Sequence, residues 1–92
     1  MQPIKVIRPN QYDNFIAELK RVNITEKIYL NKVRLLERDS KHPSLNFELM
    51  QSTKDLFPQT WSFRINRTKW RVLGYKIGSE FQVTRLTNHY DD

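Results

Sequence analysis

The residues that could do chemistry lie in the last third of the chain. WSFRIN, RTKWRVLGYKI and FQVTRLTNHY follow one another from Thr60 to Tyr90. Between Thr60 and Ile77 they carry Arg64, Arg67, Lys69, Arg71 and Lys76 and no acidic residue. Trp61, Trp70 and Tyr75 stand among these cations, and His89 follows the last apolar run. Cations interleaved with aromatics on a sheet suit single-stranded nucleic acid, because phosphates take the charge and bases stack on the rings. Cleaving RNA without a metal needs more. One group removes the 2′-OH proton, another protonates the departing 5′-oxygen, and cations hold the charge that builds on the phosphate. Histidine suits the proton transfer because its ordinary pKa is about 6.5. Arginine suits the phosphate because its planar fork donates two bonds and stays charged.

The elements that must position these groups can be read from hydrophobic spacing. Ile4 to Ile7 is a short strand that Pro9 and Asn10 end. Asn10 is placed to cap a helix carrying Tyr12, Phe15, Ile16 and Leu19 on one face and ending near Arg21. Asn23 and Glu26 have capping-box spacing for a second helix. Its apolar stripe is Ile28, Tyr29, Val33, Leu35 and Leu36, and it stops near Asp39 or Ser40, ahead of Pro43. Leu45, Phe47 and Leu49 alternate as a short strand, and Gln51 to Pro58 reads as a loop exposing Lys54 and Asp55. From Thr60 the period becomes two. Trp61, Phe63 and Ile65 point to the core, while Thr60, Ser62, Arg64 and Asn66 point away. Asn66 to Thr68 makes a turn, Lys69 to Ile77 a central strand, Gly78-Ser79 a hairpin turn and Glu80 to Thr87 the last strand. The fold class is α+β: two N-terminal helices packed on one face of a mostly antiparallel sheet of four or so strands. Trp61 is assigned to the core, Tyr75 to the core or a partial edge, and Trp70 is open between core and base stacking.

Bulk properties bound the function. The 92 residues make one domain, residues 1–92, with a net charge of +6 that favours a polyanionic or acidic partner. There are no cysteines, which excludes disulfides and thiolate metal sites. Two histidines without ligand spacing point to no metal, and no cofactor motif is present. No stretch approaches the ~20 apolar residues of a membrane span, so a cytoplasmic protein without membrane contact is expected.

HPSL (His42 to Leu45), FRIN (Phe63 to Asn66), WRVL (Trp70 to Leu73) and the terminal TNHYDD follow two helices in an order and spacing that resembles the RelE/ParE superfamily of bacterial toxins. The resemblance covers nearly the whole chain. It implies a fold like that of microbial ribonucleases and a cognate antitoxin protein as partner. Its RelE and YafQ branches imply a metal-independent endoribonuclease that cuts mRNA on the ribosome. Its ParE branch implies instead a DNA gyrase inhibitor without chemistry. By that resemblance Arg71 stabilises the transition state, Arg64 helps hold the scissile phosphate, and His89 moves the proton. Arg67, Lys69, Tyr90, Lys54 and Arg85 are further candidates for RNA contact, with Tyr90 the base-stacking aromatic. Thr60 and Ser62 stand where RelE itself carries lysines, which leaves open a relative that binds RNA without cutting it. On the residues alone, Arg71 has a competing role as a partner of a carboxylate such as Glu48. Arg64 has one as a solvated strand residue, and His89 as part of a solvated tail. His42, in a loop before a proline, reads as structural or merely exposed.

Overall fold

The computed structural model describes residues 3–65 and 69–88. Within them the chain forms β1 (Lys5–Ile7), α1 (Tyr12–Arg21), α2 (Glu26–Arg38), β2 (Glu48–Leu49), a 3-10 turn (Gln51–Thr53), β3 (Gln59–Arg64), β4 (Arg71–Ile77) and β5 (Glu80–Thr87). The architecture is α+β. The two helices pack with one open, five-stranded mixed sheet of order β1-β5-β4-β3-β2. The sheet is mixed, not wholly antiparallel, because β1 runs parallel to β5. The β3–β4 and β4–β5 pairs leave the outer side of β5 unpaired. Ile4 and Val6 bury against the core from there. The chain returns through both helices to β2, on the far edge, so β4 is central as its apolar character requires.

The helices begin one and two residues after the expected caps. Gln11, not Asn10, precedes α1, and it makes no side-chain capping bond. Thr25, not Asn23, caps α2, its hydroxyl accepting from Ile28 N–H at 3.2 Å. Asn23 instead ends α1. At φ 65 it takes the left-handed conformation that Asn tolerates better than most residues. The turn closes with Asn23 N–H to Lys20 O at 3.1 Å and Ile24 N–H to Leu19 O at 2.9 Å. This is a Schellman motif, with Leu19 and Ile24 as the apolar pair that accompanies it. Glu26 is therefore free for another task. It accepts from the Tyr12 hydroxyl at 2.7 Å and ties α1 to α2.

Burial first, and the Glu26 carboxylate second, push the Tyr12 hydroxyl from 10.0 up to about 12. A group whose pKa rises on folding stabilises the fold below its unfolded pKa and loses that contribution as pH climbs through the folded value. Tyr12 thus supports the fold up to about pH 10, and its support disappears as pH approaches 12. The urea midpoint should fall between about pH 9 and about pH 11 by more in the wild type than in Tyr12→Phe. Equal falls would refute this linkage.

The core lies between the helices and one face of the sheet, centred on Phe15, Leu19, Tyr29, Leu36, Phe63 and Phe81. Phe63 and Ile65 are buried there, as their parity on the strand predicts. Gly74 lies where β4 and β5 come closest, beside a register shift. A Cβ there would collide with the Gln82 carbonyl oxygen and reach 2.8 Å from Phe81 Cζ. Trp61 packs on the same side, 4.8 Å from Phe47 between ring centroids. Trp70, partly buried, also packs against the core. Tyr75 is not in the core: it is 44% exposed and lines an open pocket with Asn14, Phe15 and Glu18 of α1. No helix among the described residues is long and apolar enough to cross a membrane.

Candidate nucleic-acid interface

Paired residues of an antiparallel sheet share a face. Arg64 pairs with Arg71, and Arg71 with Thr87; Ser62 pairs with Leu73, and Leu73 with Arg85. Glu48 pairs with Ser62. These registers place Arg64, Arg71, Arg85 and Glu48 together on the sheet face turned away from the core. At one end of this face a cleft of about 290 Å³ is lined by Asn46, Glu48, Arg64, Lys69, Arg71 and Asn88. Three cations meet one carboxylate in that lining, so its charge favours an anion.

Arg71 is the fixed member. Its side chain is 5% exposed as a residue, and a buried guanidinium must be hydrogen-bonded to persist. Nε donates to Ser62 Oγ at 2.9 Å. Nη2 donates to Asn46 O at 2.7 Å and makes a longer contact with Ser62 O at 3.4 Å. Glu48 Oε1 stands 3.6 Å from Nη2, with the Glu48 side chain 42% exposed. Asn46 can aim its carbonyl at Arg71 because its backbone adopts φ 47. These bonds tie β4 to β3 and to the segment entering β2. They also hold the guanidinium in one orientation at the cleft. Arg64 and Lys69 are exposed, so their long side chains can reach toward a ligand beside that fixed charge.

The cleft brings together Arg64, Lys69 and Arg71 of the residues singled out from sequence. Arg85 shares the face but does not line the cleft. Lys54 is remote. Its carbonyl accepts from Gln59, at the opposite end of β3 from Arg64, about 16 Å away along the strand. Arg67, His89 and Tyr90 lie outside the described residues. Asn88, the last described residue, lines the cleft, and His89 is next in the chain. Sequence reasoning missed Ser62 and Asn46 as the partners of Arg71. The one available signal was an arginine in an otherwise apolar strand, which demands acceptors nearby. His42 matches its structural reading: its Nδ1 is engaged by Ser44 N–H at 3.1 Å.

The arrangement can bind a phosphate-sized anion, with Arg71 as a pre-oriented donor and Arg64 and Lys69 as mobile ones. Among the described residues no cluster of His, Asp and Glu could hold a metal. No protein-family model, no curated protein and no solved structure significantly matches this chain.

Proposed function

We propose that this protein is a RelE-like toxin, a metal-independent endoribonuclease that cuts mRNA on the ribosome. The observation that carries the reading is the cleft of Arg64, Lys69 and Arg71, with Asn88 at its edge and His89 directly following. The scissile phosphate lies against Arg71 and Arg64. The 2′-oxygen attacks phosphorus as its proton leaves, and the bond to the 5′-oxygen breaks as that oxygen gains a proton. The products are a 2′,3′-cyclic phosphate and a free 5′-hydroxyl. His89 carries a proton in this exchange, and the arginines stabilise the negative charge on the pentacoordinate phosphorus. Lys69, Arg67 and Arg85 add contacts to flanking phosphates, and Tyr90 stacks on a base. The cognate antitoxin is an acidic-surfaced protein drawn to the same positive face.

A second reading has its own observation. The Arg71 donors already engage Ser62 and Asn46, with Glu48 alongside. An arginine so committed also suits a non-catalytic relative, one that binds RNA or inhibits gyrase. Both RNA readings predict a log–log salt slope for single-stranded RNA of at least about −2, from the three cations of the cleft at about −0.7 each, and steeper with the contacts of Arg67 and Arg85. Arg64→Ala should lessen that slope by about 0.7, measured by fluorescence anisotropy with a labelled oligonucleotide. An unchanged slope would remove Arg64 from the interface. Product formation on ribosomes then separates cleavage from binding.

A further inference from the structure

A second cavity, of about 650 Å³, lies on the core side of the sheet where the 40–47 segment crosses β3 and β4. Its floor is apolar, with Phe47 and Trp61 in ring contact at 4.8 Å and Pro43 beside them. Its ionisable side chains are all basic, and Ser40 and Asn46 add neutral polar groups. Lys41, His42 and Lys76 line it, and no Asp or Glu does. The Lys76 ammonium lies 4.9 Å from the Trp61 ring centroid and donates to Gly78 O at 2.9 Å. That leaves it two further donors. The His42 ring is oriented by Ser44, whose N–H donates to Nδ1 at 3.1 Å and whose Oγ lies 2.9 Å from the same atom. With Nδ1 accepting, a neutral His42 ring carries its proton on Nε2 and is a donor there. The Trp61 indole N–H is buried without a hydrogen-bond partner among the described residues. An apolar floor of two rings tilted by 38°, under a donor-rich, positively charged rim, complements a ligand with an aromatic ring and an anionic group.

We infer that this cavity binds a small planar aromatic carboxylate, its ring against Phe47 and Trp61 and its carboxylate at Lys41, Lys76 and His42. The site adjoins the cleft at Arg71 through Asn46, which lines both, but its proposed ligand contacts at Lys41, His42, Phe47, Trp61 and Lys76 are not those of the cleft, so binding here can be tested apart from RNA cleavage. Its apolar floor favours a hydrocarbon ring over a nucleobase, whose polar edge would lose hydrogen bonds to water there.

The test is titration of the full-length protein with 2-naphthoate, followed by calorimetry and by the Trp61 indole resonance in ¹⁵N-correlated NMR spectra. Saturable binding that moves the Trp61 resonance is expected. Lys76→Gln and Lys41→Gln should each weaken it by about fivefold to tenfold, the loss of one charge-assisted contact. Neutral 2-naphthalenemethanol should bind about tenfold more weakly than 2-naphthoate to the wild type. Three results would overturn the inference: no saturable movement of the Trp61 resonance at millimolar 2-naphthoate, equal affinity for the neutral alcohol, or unchanged affinity in both lysine variants. Adenosine monophosphate binding as tightly as 2-naphthoate would also overturn it and assign the cavity to nucleotides.

Discussion

Arg64→Ala and Arg71→Ala should both abolish growth inhibition when the protein is expressed in bacteria, but only Arg71→Ala should also lower stability. Arg64 is an exposed residue, and surface substitutions of this kind stay within about 0.5 kcal/mol of neutral. Arg71 is buried and donates to Ser62 and Asn46. Its removal strips those acceptors of a partner and leaves Glu48 without its counter-charge. Glu48 is half exposed and rehydrates, so the cost is about 2 kcal/mol rather than that of a fully buried broken pair. For a domain of this size that is a melting temperature lower by about 10 °C. Arg71→Lys separates the two roles. It keeps the charge but not the planar fork, so it should regain part of the stability without restoring toxicity. Wild-type toxicity in Arg64→Ala and in Arg71→Lys would remove the cleft from the mechanism.

Gly74→Ala should be the most damaging single-methyl change in the chain. The added Cβ meets the backbone carbonyl of Gln82 and the ring of Phe81. The carbonyl belongs to β5, which is held on both sides by β4 and β1. It cannot yield as the end of a flexible side chain would. Overpacking of this kind costs about 1–3 kcal/mol in an ordinary core, and a collision with backbone falls at or above the top of that range. The expected result is a melting temperature lower by at least about 10 °C, with disruption of the cleft because β4 carries Arg71. Gly78→Ala is the useful comparison. Gly78 has φ 59 with open space around it, so its cost is limited to backbone strain of about 1 kcal/mol. If Gly74→Ala melts no lower than Gly78→Ala, the close approach of β4 to β5 is not as described.

What was legible in the sequence followed the strength of the local pattern. The first and last of the three strands from Gln59 onward show a period of two, the middle one is apolar on both faces, and both helices show a continuous apolar stripe, so these elements lie close to where they were expected. Lys69 and Trp70 fall just before β4 rather than in it. The parallel pairing of β1 with β5 was not legible. β1 is three residues long, too short for a period, and its partner is set by which sheet edge remains open. The caps were misplaced because Asn at Asn23 fits two roles, and only the Leu19–Ile24 contact decides between a helix start and a helix end. The cleft was half legible. Arg64 and Arg71 face the same way by strand parity. The tie from Arg71 to Asn46 spans 25 positions in sequence and depends on a left-handed residue, which no local pattern encodes. Lys54 looked eligible only because loop position carries no information about distance to the cleft.

The central claim is cleavage of mRNA at this cleft, and the most direct measurement is translation in vitro with the purified protein. Messenger 5′ ends are read by primer extension, with Arg64→Ala and His89→Ala as controls. New 5′ ends that appear only with ribosomes present and vanish in both variants are the predicted result. Intact mRNA with active translation in the presence of the wild-type protein would contradict the account.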